Sequence, residues 1–128
     1  MGVSELEGKL KDLIDLDLVK WKSVSNRLDE LKLLKNMLNS LDDQKRFKEF
    51  RKLIKALNHP ARIQILIAIN EGVICACELE YLTDLAQATV SHHLSLLEDA
   101  DIITRSREGK RNFLSIKNQQ VIDYFMSF

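Results

Sequence analysis

The chain has 128 residues, 45% of them apolar, and its 19 basic and 19 acidic residues cancel to a formal net charge of zero. That length suits one domain with one core, the lack of any apolar run near about 18 residues argues against a membrane span, and an acidic start without a charged-then-apolar leader points to the cytoplasm. Two cysteines, two positions apart, are too few for a disulfide framework and suit a reducing compartment.

Neutrality alone argues against a nucleic-acid binder, but the charges are unevenly spread. Residues 45–70 carry seven Lys or Arg against one acid, residues 102–128 carry five against two, and residues 71–101 carry seven acids and no base. Any phosphate contact must come mainly from the basic segments on either side of the acidic one.

Residues 1–41 are expected to form a helical extension, with residues 42–128 as the main domain. Ser4-Glu5-Leu6-Glu7 has the form of a capping box, and Leu6, Leu10, Leu13 and Ile14 then share one helical face. A second stripe follows, Trp21, Val24, Leu28, Leu31, Leu38 and Leu41, whose steps of three and four suit a helix packed along another helix. The extension is read as widening a dimer interface, because a small core has little spare apolar surface for it to cover.

Asp42 or Asp43 is expected to cap the next helix, which lines up Phe47, Phe50, Ile54 and Leu57 on one face with most of its lysines and arginines outside. Asn58-His59-Pro60 interrupts it and starts another helix, with His59 as a turn residue and Pro60 at the first helical position. Ile63, Leu66, Ile67 and Ile69 are the expected buried side of that helix, and Asn70-Glu71-Gly72 its end.

Cys75-Ala76-Cys77 is the one constellation with reactive potential. Side chains two apart on a regular helix diverge by about 200°, so both sulfurs meet one ion only if the helix starts between them. A helix start would also favour the thiolate. The plain alternative is two small buried hydrophobes.

A short helix over Cys77–Leu82 leads into the stretch Asp84–Ala100. There Val90, Leu94 and Leu97 recur at i, i+4 and i+7 as a core stripe, leaving Ala88, Ser91, His92, Ser95 and Asp99 outside. Short polar groups can approach a base edge closely. His92 and His93 are adjacent, about 100° apart on a helix, and cannot readily chelate one ion. Two β-prone runs follow, Ile102–Arg107 and Asn112–Ile116, with Gly109 able to supply the positive φ of a hairpin between them. Helix, turn, helix, hairpin is the order of a winged helix, so the expected fold is mostly α with a small β-hairpin wing. The chain ends on Val121, Phe125 and Phe128, one apolar face that would be sticky on a monomer.

Four segments in this order, Leu57-Asn58-His59-Pro60-Ala61-Arg62-Ile63-Gln64-Ile65-Leu66, Cys75-Ala76-Cys77-Glu78-Leu79, Gln87-Ala88-Thr89-Val90-Ser91-His92-His93-Leu94-Ser95-Leu96-Leu97 and the Gly109 wing, resemble the ArsR/SmtB family of winged-helix repressors. The resemblance covers residues 45–125 and leaves the extension unexplained. It implies a homodimer that binds double-stranded operator DNA and releases it when a metal, metalloid or oxidant reaches a sensing site. Two recognition helices would enter major grooves about 34 Å apart.

Matching the family's Ser-x-His-Leu carries DNA contact over to Gln87, Ser91 and His92; geometry adds Ser95 and the wing residues Arg105, Arg107, Lys110 and Arg111. The helix of residues 45–57 and the C-terminal helix correspond to the family's dimer seam, which implicates Phe47, Phe50, Ile54, Val121, Phe125 and Phe128. Arsenical repressors of the family carry a third cysteine where Glu80 stands here, and no cysteine precedes Cys75. A second family metal site falls on Asn118 and Gln120, poor zinc ligands. Two thiolates at Cys75 and Cys77 then fit Cu(I), As(III) completed by an external thiol, or thiol oxidation, and disfavour tetrahedral zinc. No cofactor is required. Ala86 replaces the serine that often caps the recognition helix, a loss of about 1 kcal/mol unless Thr83 or Asp84 takes over.

No enzyme signature is present: there is no phosphate-binding glycine loop and no Cys-x-x-Cys beside a βαβ pattern. Two other readings stand beside the sensor: a winged-helix protein-interaction module without DNA binding, suggested by the acidic 71–101 segment, and a DNA-binding regulator without a cysteine switch.

Overall fold

The computed structural model describes all 128 residues, which divide into two compact units, Met1–Gln44 and Lys45–Phe128. The first is a pair of helices, α1 (Val3–Asp15) and α2 (Val24–Asn39), followed by a single 3-10 turn at Leu41–Asp43. A turn at Asp17 separates the two helices. Asp17 takes a left-handed conformation, φ 54°, while the Leu18 amide reaches the Leu13 carbonyl and the Asp17 amide the Ile14 carbonyl, each at 3.0 Å. That pattern closes a helix with its last carbonyls satisfied. Ser23 then starts α2 by accepting from the Asn26 amide at 3.2 Å, so Trp21 lies before the helix, its ring under the Arg27 guanidinium. The capping box does not form. Gly2 is the cap residue of α1, in extended conformation, and Ser4 is already inside the first turn. Leu10 and Leu28 are the buried contacts of this unit.

The second unit holds α3 (Lys45–Leu57), α4 (Pro60–Asn70), α5 (Ala76–Thr83), α6 (Gln87–Asp99), β1 (Ile103–Glu108), β2 (Arg111–Ile116) and α7 (Gln119–Met126). Asp42 and Asp43, the expected caps of α3, lie in the 3-10 turn, and Gln44, in extended conformation, is the residue that immediately precedes the helix. His59 caps α4 through Nδ1, which accepts from the Ala61 amide at 3.1 Å, and Pro60 follows in the first turn. Gly72, φ 109°, closes α4 as the Asn70-Glu71-Gly72 signal predicts.

The core joins Ile65, Leu66 and Ile69 of α4 to Leu79 of α5, Val90, Leu94 and Leu97 of α6, Ile102 and Ile103, Leu114 of β2 and Ile122 of α7. The stripe expected on α6 is fully buried. On α4 the expected face is turned: Ile65 is the completely buried residue, while Ile63 and Ile67 are half-buried along an apolar groove. A nearly all-apolar helix has no polar side to fix its rotation, and Arg62, only 9% exposed, shares the buried face.

The wing is an antiparallel pair running from Ile103 opposite Ile116 to Glu108 opposite Arg111, with Gly109 at φ 63° in the turn. Two sets of backbone bonds dock it. The Leu114 amide donates to the Ile74 carbonyl at 3.0 Å, and the Lys117 and Asn118 amides donate to the Ile102 carbonyl at 2.9 and 3.1 Å.

Candidate nucleic-acid interface, thiol pair and apolar groove

α5 and α6 form the helix-turn-helix. Asp84 makes the turn in the left-handed region, φ 55°, as the C-terminal cap of α5. Thr83 Oγ1 donates to the Leu79 carbonyl at 2.6 Å. Both residues are therefore committed to ending α5, and neither caps α6. The cap residue of α6 is Ala86, with no side-chain bond, so the first amides of the helix have no side-chain acceptor there.

The eight residues expected to meet DNA divide into two groups. Gln87, Ser91, His92, Arg107, Lys110 and Arg111 are exposed, the first three on α6 and the others on the wing. Ser95 and Arg105 turn to each other: Arg105 Nη2 donates to Ser95 Oγ at 2.9 Å, and its Nε lies 3.5 Å from Glu98 Oε2. The Arg105 side chain is 20% exposed, and its Nε makes no hydrogen bond. Arg105 thus straps the base of the wing to α6.

Behind that face sits a contact that periodicity did not reveal. His93, 5% exposed, points inward from α6, and its Nδ1 lies 3.1 Å from Arg62 Nη1. Arg62 also donates from Nε to the Ala56 carbonyl at 2.5 Å and from Nη2 to the Lys55 carbonyl at 3.3 Å. Burial pushes the His93 pKa below its ordinary value, and His59, Arg62 and His92 push the same way. The sequence hints at both partners: Arg62, Ile65 and Ile69 fall at i, i+3 and i+7, which puts a guanidinium on a core face, and His93 falls at i+3 of the Val90, Leu94 and Leu97 stripe, where a core or backbone contact is the expected role for it.

Cys75 is the cap residue of α5, in extended conformation, and Ala76 is the first helical residue. The helix therefore starts between the cysteines, and the sulfurs approach to 2.7 Å. The Cys77 thiol bonds to Cys75, and with the Cys77 backbone amide it pulls the Cys75 pKa down. Cys77 is pushed the opposite way by the same contact, in which either sulfur can donate. Cys75 is half-buried and Cys77 exposed, so the two sulfurs share one proton-dependent contact that reagents can reach. No group of three or more Cys, His, Asp or Glu able to hold a metal ion forms anywhere in the chain.

On the other side of the unit, α3, α4 and α7 enclose an apolar groove of about 580 Å³. Of the residues assigned to a dimer seam, Phe50, Ile54, Val121, Phe125 and Phe128 line it together. Phe47 lies outside the groove on α3, half-buried, with the Arg51 guanidinium 5.9 Å from its ring centre. No helix of the chain is long and apolar enough to cross a membrane.

Residues 59–105 match the bacterial regulatory protein, arsR family. The chain is 32% identical over 78 residues to the arsenical resistance operon repressor of Staphylococcus xylosus, covering 61% of this chain and 74% of that protein. It is 34% identical over 71 residues to a cadmium resistance regulatory protein CadC homolog of Staphylococcus aureus, covering 55% of this chain and 59% of the relative. Among solved structures, a homodimeric winged helix-turn-helix DNA-binding domain from Mycobacterium bovis superposes with a TM-score of 0.57 at 25% identity, covering 62% of this chain and 74% of that one.

Proposed function

Because the chain belongs to the ArsR family of bacterial regulatory proteins, we propose that it works as a homodimeric repressor released from operator DNA by chemistry at Cys75 and Cys77. The observation that carries the sensor is the thiol pair itself, 2.7 Å apart at the start of the first helix of the helix-turn-helix. Two thiols can give up their protons to a soft ion such as Cu(I), or to As(III) whose third site an external thiol fills. Alternatively a peroxide takes two electrons from them, leaving a disulfide and two waters.

Either event pulls on the backbone at Cys75, one residue after the Ile74 carbonyl that holds β2 through Leu114. Leu114 pairs with Arg105, which grips Ser95 on α6. A shift at the thiols therefore has a bonded route to both DNA-facing elements. In this reading Gln87, Ser91 and His92 read bases while Arg107, Lys110 and Arg111 hold phosphates. Ser95 and Arg105 set the wing against α6 and reach DNA only if that strap opens.

Dimerisation through the α3/α4/α7 groove is supported by its exposed Phe50, Phe125 and Phe128 side chains, which a second copy would cover by two-fold pairing. The Mycobacterium bovis domain is itself homodimeric. The extension, residues 1–41 in the sequence reading and Met1–Gln44 as a compact unit, is assigned to the same assembly.

The test is fluorescence anisotropy of the reduced, metal-free protein on a duplex from upstream of its own gene, repeated with As(III), Cu(I) and hydrogen peroxide. Release by one of these in the native protein, and by none when Cys75 and Cys77 are both serine, is the expected outcome. Binding that no effector releases would remove the cysteine sensor. No binding in low salt would leave a winged-helix interaction module.

A further inference from the structure

The contact between Arg62 and His93 has a property that an apolar contact in its place would lack. A guanidinium only donates hydrogen bonds, so His93 Nδ1, 3.1 Å from Arg62 Nη1, must accept. The ring proton then sits on Nε2, and a second proton on Nδ1 would abolish the bond and set two cations against each other. We propose that Arg62 and His93 are positioning residues that hold α6 in its DNA-reading orientation, and that protonation of His93 releases α6 so that operator binding weakens as the pH falls.

The surroundings of His93 make that proton costly and leave it no acceptor. Its ring lies 4.6 Å from that of His59 and 6.1 Å from that of His92. From α4 come His59 and Arg62, from α6 itself His92, and each opposes a positive charge on His93. α3 presents the Lys55 and Ala56 carbonyls, both already taken by Arg62. α5 and β1, which also pack on α6, add no charged group to those acting on the ring. No carboxylate compensates, and the His93 pKa is lowered from the ordinary 6.5, mainly by burial.

The sign follows. A base whose folded pKa is depressed binds fewer protons folded than free. The arrangement is thus at full strength above the ordinary histidine value and is lost as the pH drops through the lowered one. The lever is long, because Arg62 ties α6 to the last turn of α3, beside Ile54 and Leu57 of the apolar groove. One proton therefore addresses the joint between the recognition helix and the helices of the groove.

This inference rests on the DNA-binding reading above, and the experiment separates the two. Affinity for a rhodamine-labelled duplex from upstream of the protein's own gene is measured from about pH 7.5 downwards for the native protein and His93→Asn. Asparagine carries an acceptor oxygen near the Nδ1 position and does not titrate. The native protein should lose affinity progressively as the pH falls below the ordinary histidine value, since the His93 pKa is lowered by burial and by the neighbouring cations. H93N should bind at pH 7.5 yet stay flat. An H93N profile that falls with the native one overturns the proposal.

Should H93N fail to fold, or the native protein bind no duplex at pH 7.5, histidine ring NMR on the full native chain decides the matter without DNA. A His93 ring that titrates below the ordinary histidine value and carries the Ser91–Ser95 amide shifts with it supports the lock. A His93 that titrates at the ordinary value, or without moving those amides, sinks it.

Discussion

Two polar pairs flank the helix-turn-helix, and they are opposites. Cys75 and Cys77 are two residues apart in the chain, meet at an open helix start, and each changes the other's proton affinity in a place that reagents can reach. Arg62 and His93 are 31 residues apart and meet on buried faces, with 9% and 5% of their surface exposed. Access therefore selects the signal. The exposed pair is fit for ions and oxidants, and reacting it requires no unfolding. The buried pair can report only protonation, and it answers by moving a helix, since an unpaired buried polar group is not tolerated in place.

The largest expected effect uses that contrast directly. Arg62→Ala strips a partner from His93 and from the Lys55 and Ala56 carbonyls at once, and should cost about 2–4 kcal/mol of stability. Urea unfolding at neutral pH measures it. Cys75→Ser and Cys77→Ser, tested alike, should each stay within about 1 kcal/mol, because their side chains are not in the core. Equal losses at both sites would erase the distinction between a structural and a reactive pair.

A smaller effect sharpens the chemistry of the open pair. Cys75 is the sulfur whose pKa is lowered, first by the Cys77 thiol and then by the Cys77 amide. Cys77 is the one raised, by the same contact. At neutral pH iodoacetamide should label Cys75 before Cys77, with the order read by peptide mass spectrometry. Cys77→Ala removes the donor and should slow Cys75 labelling severalfold. Its rate should also rise at higher pH than in the native protein, since the thiolate then forms at a higher pH. Cys77→Ser keeps a hydroxyl donor and should fall between the two. If Cys77 reacts first, the assignment of the activated sulfur is reversed.

What could be read beforehand follows the same division between local and distant. The core stripe Val90, Leu94 and Leu97, the left-handed Gly109 turn and the helix start between the cysteines are local patterns, and each stands where the sequence places it. The apolar groove was legible too, because Phe50, Ile54, Val121 and Phe125 repeat at helical spacing and have nothing else to do in the chain. Two local expectations gave way to neighbouring conformations. Gly2 takes the cap position of α1 expected of Ser4, and the 3-10 turn at Leu41–Asp43 sets both candidate caps of α3 ahead of the extended Gln44. The rotation of α4 and the arginine-histidine contact were out of reach for another reason. Both depend on which distant residue arrives beside Arg62, and no period in the sequence encodes a pairing across 31 positions.

The smallest effect lies between the two pairs, at the amino end of α6. Ala86 caps nothing, and Thr83 and Asp84 are held by the end of α5. Ala86→Ser would give the first turn an acceptor and should stabilise the free protein by about 0.5–1 kcal/mol, seen as a small rise in Tm. The same amides are where a DNA phosphate would dock on a helix that carries no Lys or Arg of its own. A serine that occupies them competes with the phosphate, so the variant should gain stability and lose some affinity for DNA. A gain in both would show that the amides of α6 do not meet the backbone, leaving Arg107, Lys110 and Arg111 of the wing to supply that charge. A loss in both would mean that the serine disturbs the turn itself, where Asp84 already sits in a conformation that a non-glycine residue adopts only at a cost.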